Sequence, residues 1–286
     1  MKKPYQLSCL FPYIDIALFS HKNSHSTLQE LYPKALWISS PYEECKEKLQ
    51  NAKILFLHPD GILYWKQYLL DLEKVVSLNI KLFVIADSDL TTGHDHLDPL
   101  INAFPSTQFW VQNWFGYNKQ VSFLPIGVNC PSVSNAERIR PLGVSFSLYY
   151  KGYIHREEFL HFLNKSDFIR EFLYPRVDYH SYCKFLSECR FSPCPMGGGY
   201  DTFRFWECLM MKTIPIVKSH VFYDVLCLYY PNLPFVIIDA WEELEQCLER
   251  LTPQFYETIM ELADVSICYE DYWINKCEEI LSAEKT

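Results

Sequence analysis

The sequence has no apolar run long enough to span a bilayer, no Cys-x-x-Cys pair, no surplus of basic residues and only nine glycines. Each shortage removes a class of protein. A membrane-crossing helix needs about 20 successive apolar residues, and no such stretch occurs. The apolar opening LSCLFPYIDIALF is interrupted by Pro12 and Asp15 and is followed by no small-residue cleavage site. It reads as the entry to a first strand, not as a signal peptide. Lys and Arg number 26 against 35 Asp and Glu, a formal charge of −9. A general nucleic-acid binder needs a basic surface, so this balance leaves room only for a local basic pocket. The eleven cysteines show no zinc-ligand rhythm and read as buried thiols of a reducing compartment. A soluble, cytoplasmic protein is the expectation.

What is present is apolar mass in a regular order. The chain is 49% hydrophobic and 16% aromatic over 286 residues, enough for two cores. YIDIALF, ALWIS, KILFLH, IKLFVIA, QFWV and VSFLPIGV read as short buried strands, with helical stretches such as YEECKEKLQ and WKQYLLDLEKVVSL between them. Strands alternating with helices predict a parallel sheet covered on both faces. Ligands then gather beyond the carboxyl ends of the strands, in the loops at 20–25, 58–61 and 87–96. Residues 125–143, rich in Pro, Ser and Asn, read as a linker. The alternation then restarts, with VSFSLYY, FIREFL, FSPCP, TIPIV and PFVII as strands, and HREEFLHFLN, YHSYCKFLSEC, DTFRFWECLMMK and WEELEQCLERL as helices. Two Rossmann-like halves are expected, with residues 1–138 in the first and 139–265 in the second. Residues 266–286 read as a helix that packs back on the first.

Three of the nine glycines stand together in FSPCPMGGGYDTFRFWECLMMKTIPIVKS, residues 191–219. Gly197, Gly198 and Gly199 lie between a strand and a helix, where bare backbone brings N–H groups close to a phosphate and the helix N-terminus adds partial positive charge. Asp201 or Thr202 is the expected N-cap. Phe203, Trp206 and Met210 form the core-facing stripe. Arg204 and Glu207 share another face, Arg204 near enough to the first turn to meet an anion, and Glu207 placed to accept from a ribose diol. The plainer alternative is a solvated salt bridge between the two.

The same stretch resembles the donor-binding segment of exostosin-like glycosyltransferases. The pattern G-x-D-x-x-R-x-W-E is carried by Gly199, Asp201, Arg204, Trp206 and Glu207, and is followed by IPIV at 214–217. FVIIDAWEEL, with Asp239 and Trp241, resembles the family's next strand and helix, and VSFLPIGVN the segment leading into its donor domain. The resemblance implies an α/β GT-B fold of two Rossmann-like domains, with the second holding a nucleotide-sugar, a UDP-sugar by expectation, and the first a glycan acceptor. It implies inversion by direct displacement and no required metal. The chain is similar to a small bacterial or viral member, without the anchor, stem and second catalytic domain of animal exostosins. Breaking the sugar–phosphate bond loads negative charge onto the diphosphate. Arg204 and the amides of Gly197, Gly198 and Gly199 are expected to meet it, with Asp201 part of the same segment. Arg156, in YKGYIHR, resembles the arginine after the family's first donor-domain strand; its alternative is an ion pair with Glu157 or Glu158. Lys218 stands at the end of the IPIV strand.

The acidic loop supplies candidates for the base. Asp87 and Asp89, after the IKLFVIA strand, are the expected acceptors of the sugar acceptor's proton, with Asp60 and His94 behind them. Asp87-Ser88-Asp89 also reads as a DxD motif, which would hold a divalent cation in a GT-A enzyme. A non-catalytic module that binds a nucleotide or sugar is the alternative outside enzymes.

Overall fold

The computed structural model describes residues 3–20, 35–40, 42–88, 93–128, 130, 136–145 and 153–283. It divides into two compact units. One comprises Leu7–Ile126 with Trp273–Thr286, and the other Met1–Gln6 with Gly127–Tyr272.

The first unit holds a six-stranded parallel sheet. Its strands are β1 Ile16–Phe19, β2 Ala35–Trp37, β3 Ile54–Leu57, β4 Leu82–Ile85, β5 Gln108–Val111 and β6 Val121–Phe123, in the order β2-β1-β3-β4-β5-β6. Every residue of β1, β3 and β4 is buried. This is why these runs are continuously apolar instead of alternating. The helices are α1 Tyr42–Gln50, α2 Ile62–Val75 and α3 His94–Ala103. The strand order reverses between β1 and β3, the place where such sheets leave a crevice. There Gly61 follows β3 so closely under β1 that a Cβ would lie 3.2 Å from Ser20 N and 3.3 Å from the Phe19 carbonyl carbon. Trp273 is fully buried and meets Trp110 of β5 edge to face at 5.0 Å.

The second unit is built on a four-stranded parallel sheet, β12-β11-β10-β7. The members are β7 Arg140–Leu142, β10 Cys189–Pro193, β11 Ile214–Lys218 and β12 Val236–Ile238; β8 Val144–Ser145 and β9 Leu173–Tyr174 pair beside it. Its helices are α4 Ile154–Lys165, α5 Asp167–Arg170, α6 Tyr179–Ser187, α7 Phe203–Met210, α8 Val221–Tyr229, α9 Leu244–Leu248 and α10 Pro253–Leu262. The core joins Phe191, Ile214 and Ile216 of the sheet to Phe159, Phe162 and Trp241. Helix α11, Glu270–Ser282, belongs to the second unit up to Tyr272 and to the first from Trp273 onward.

Several expectations are corrected. The supposed linker contains β7, whose Arg140 and Leu142 pair with Cys189 and Phe191. FIREFL is no strand: Ser166 Oγ accepts from Ile169 N at 3.0 Å and starts α5, leaving Leu173–Tyr174 extended. The loop read at 87–96 ends early, because His94 opens α3 behind Gly93. Helix α8 is about as apolar as the strand that precedes it, so its helical period did not stand out. Within residues 266–286 the expected helix is α11, entered from a turn at Ser266–Cys268. Phe203 is 50% exposed, and α7 instead buries Phe205, Trp206, Glu207, Cys208, Leu209 and Met210. No described helix is long and apolar enough to cross a membrane.

Candidate functional site

In the second unit the segment from β10 to α7 runs along the carboxyl edge of the sheet. Cys194 N donates to Ile216 O at 2.8 Å, holding the chain to β11 up to the glycines. Among the described glycines only Gly127, at φ 97°, has a positive φ. Gly197, Gly198 and Gly199 are therefore not there for left-handed backbone; at Gly197 the reason is space. A Cβ on Gly197 would lie 2.7 Å from a terminal guanidinium nitrogen of Arg156. Arg156 reaches this place from the first turn of α4 and also lies over the Tyr153 ring, 5.6 Å from its centroid. The expectation that the Gly197 amide meets a phosphate is corrected, because its N–H donates to Gly199 O at 3.2 Å. The N–H groups of Gly198 and Gly199 have no protein acceptor among the described residues.

Thr202, not Asp201, is the N-cap of α7, and its side chain makes no capping bond. Asp201 is 3% exposed and accepts from the Trp206 indole N–H. Arg204 donates to Ser145 O at 2.9 Å, which ties α7 to the end of β8. The alternative of a solvated Arg204–Glu207 pair fails. Glu207 is 8% exposed, and its carboxylate accepts from Tyr179 Oη at 2.8 Å and Tyr182 Oη at 3.2 Å, both on α6. Burial raises the Glu207 pKa against the pull of the Tyr179 bond, Arg204 and Tyr182. Burial, then the Glu207 charge, likewise pushes the Tyr179 phenol upward, so it stays a donor. Lys218 is ion-paired with Glu158 of α4.

The edge holds three rings that sequence reasoning missed. Tyr200 and His220 stack with centroids 4.3 Å apart, and His155 stands 6.1 Å from Tyr200. Their signal was adjacency, since they flank Gly199, Arg156 and the Lys218 strand end. The thiols behind the loop are packing groups. Cys194 and Cys208 lie 3.5 Å apart and buried, and burial raises the Cys208 pKa well above its ordinary value. All eleven cysteines are free thiols.

In the first unit, Asp87 follows β4 with φ 74°, and Asn113 follows β5 with φ 50°. Such conformations are costly outside glycine, though Asp and Asn tolerate them best. Buried side chains hold them. Gln112 Oε1 accepts from Asp87 N at 2.8 Å, His58 Nε2 lies 3.0 Å from Asp87 O, and Asn113 Nδ2 donates to Ser88 O at 3.0 Å. His58 Nδ1 accepts from Asp60 N at 3.3 Å, so Nε2 carries the proton and donates. His58, Gln112 and Asn113 are 4%, 3% and 1% exposed; as single polar residues in apolar runs they gave no motif. Asp89 lies outside the described residues. His94 bonds Asp98 Oδ1 at 3.1 Å and packs on Trp114. Among the described residues no three His, Cys, Asp or Glu side chains converge as a metal site would require.

No protein-family model and no curated protein matches the sequence. The structure is similar to that of Anabaena HepE in complex with UDP and glucose, with a TM-score of 0.54 and 10% identity over 96% of this chain and 94% of that one. The pneumococcal O-GlcNAc transferase GtfA in complex with UDP and GlcNAc gives a TM-score of 0.39 and 10% identity over 84% of this chain and 55% of that one, too low to carry weight. The HepE likeness spans nearly the whole of both chains and shows the fold: α/β, of GT-B type, with parallel sheets in two Rossmann-like units.

Proposed function

We propose that the chain is a glycosyltransferase that moves a sugar from a UDP-sugar to a glycan hydroxyl with inversion, as the exostosin-like resemblance implies. One observation carries the reading. At the carboxyl edge of the four-stranded sheet, the Arg156 guanidinium lies against Gly197, in the loop that runs through Gly198 and Gly199 to the start of α7. That is the chemistry of an anion seat. The fold is shared with a protein crystallised with UDP and glucose.

In this reading residues 139–265 hold the donor and residues 1–138 the acceptor, with 266–286 as the returning helix. Arg156 and the Gly198 and Gly199 amides meet the diphosphate, Arg204 braces α7 against β8 and adds positive charge, and Glu207 reads the ribose hydroxyls with its remaining lone pairs. Asp201 sets the turn through Trp206, and Lys218 acts with Glu158 as a paired wall. Asp87, or Asp89 beside it, takes the acceptor's proton. The donor diphosphate is neutralised by these groups, so no metal is required.

The test is thermal stabilisation by UDP- and GDP-sugars followed by turnover with and without EDTA. A ligand bound only to the folded state raises its Tm. UDP-sugars are expected to stabilise and EDTA to leave turnover intact. Loss of turnover on chelation, restored by Mn²⁺, favours the DxD alternative. UDP binding without any transfer favours a non-catalytic module.

A further inference from the structure

Tyr200, His220 and His155 have no part in the donor site as assigned above, yet they stand on its three loops. Tyr200 follows Gly199, His155 precedes Arg156, and His220 comes two residues after Lys218. The Tyr200 and His220 planes lie 19° apart at 4.3 Å, and His155 is 6.4 Å from His220. All three side chains are partly exposed.

His220 sets the chemistry. Its Nδ1 accepts from Phe222 N at 3.1 Å and caps α8. A neutral ring that accepts at Nδ1 carries its proton on Nε2. Burial, then the nearby His155, lowers its pKa below 6.5 against the opposing pull of Asp224, so the ring is neutral at pH 7. The cap fixes the ring, and the N–H is a donor in a set place. The stack is also closed: Tyr200 and His220 cover each other's faces, leaving no slot between them for a nucleobase. What the cluster offers is ring edges carrying N–H and O–H, the groups that phosphate oxygens accept from.

We infer that His220, stacked on Tyr200 with His155 near both rings, is a binding residue for the diphosphate of the nucleotide-sugar, donating its Nε2–H to a phosphate oxygen. This rests on the nucleotide-sugar reading above.

The experiment titrates UDP and uridine calorimetrically into the full chain and into His220→Asn. Asn still offers an oxygen to cap α8 but lacks the Nε2–H, so the urea midpoint is expected to hold. UDP affinity is expected to fall about tenfold or more, with uridine affinity unchanged. Equal UDP affinity in the two proteins overturns the inference while the nucleotide reading stands. Equal losses for UDP and uridine place the cluster on the nucleoside and overturn it as well. No nucleotide binding to the unaltered chain overturns both. Should His220→Asn not fold, His220→Ser, which also keeps a capping oxygen and lacks the ring N–H, is titrated with the same criteria.

Discussion

The guanidinium of Arg156 occupies the space that a side chain at Gly197 would fill, 2.7 Å from the ideal Cβ position. The bare backbone at this point therefore admits an arginine from α4, and only through it an anion. Gly197→Ala needs no positive φ, so it displaces a flexible side chain without straining the turn. UDP affinity is expected to drop about tenfold, the scale of one charged hydrogen bond, with little change in the urea midpoint. In an Arg156→Ala background the same substitution should add nothing, because the two changes remove one interaction. Additive losses would show that Gly197 serves the ligand on its own.

Glu207 sits buried between two tyrosine hydroxyls. Its pKa is raised above 4.5, chiefly by burial. The folded chain thus binds the proton more tightly than the unfolded one, and stability falls as pH rises from about 4.5 through the folded value. Glu207→Gln is expected to abolish that fall in urea titrations over pH, and to weaken UDP binding about tenfold. A variant whose stability keeps the same pH profile would move the ionisation elsewhere.

Asp87 combines an exposed side chain with φ 74°. Asparagine also adopts this conformation readily, so Asp87→Asn removes the carboxylate without disturbing the backbone. The expected result is a loss of about 10²-fold in kcat, the range for a general base, with donor affinity and stability unchanged. Full turnover in this variant directs attention to Asp89, then Asp60.

Thr202 occupies an N-cap position, yet its hydroxyl makes no capping bond and has no partner among the described residues. Replacing a working Thr cap costs about 0.5–2 kcal/mol, whereas a buried hydroxyl without a partner is itself unfavourable by about 1–3 kcal/mol. Thr202→Val should therefore leave the urea midpoint unchanged or raise it. A fall of about 1 kcal/mol would mean that the hydroxyl is bonded in solution.

The α/β class and most strands of both sheets could be read from the sequence, because β1, β3, β4 and most of β11 are short apolar runs with turn residues around them, and a strand buried on both faces has no other way to look. The glycine segment was legible too, since strand, bare turn and helix follow one another without a break in the chain. Helices α3 and α8 were not: one begins inside a polar loop, and the other is as apolar as the strand before it.

The sequence by itself determined which residues stand at strand ends, since chain order and parallel pairing put the loops after β10 and β11 on one edge. Only the tertiary structure decided what those residues touch. That Glu207 faces two tyrosines of α6 instead of Arg204, that Lys218 is paired with Glu158, that Arg156 fills the room left by Gly197, and that His58 and Gln112 hold Asp87 in a left-handed turn are all contacts between segments far apart in the chain. Periodicity assigns a side chain to a face of its own helix or strand; which partner meets that face follows from how the elements pack, and spacing carries no record of it.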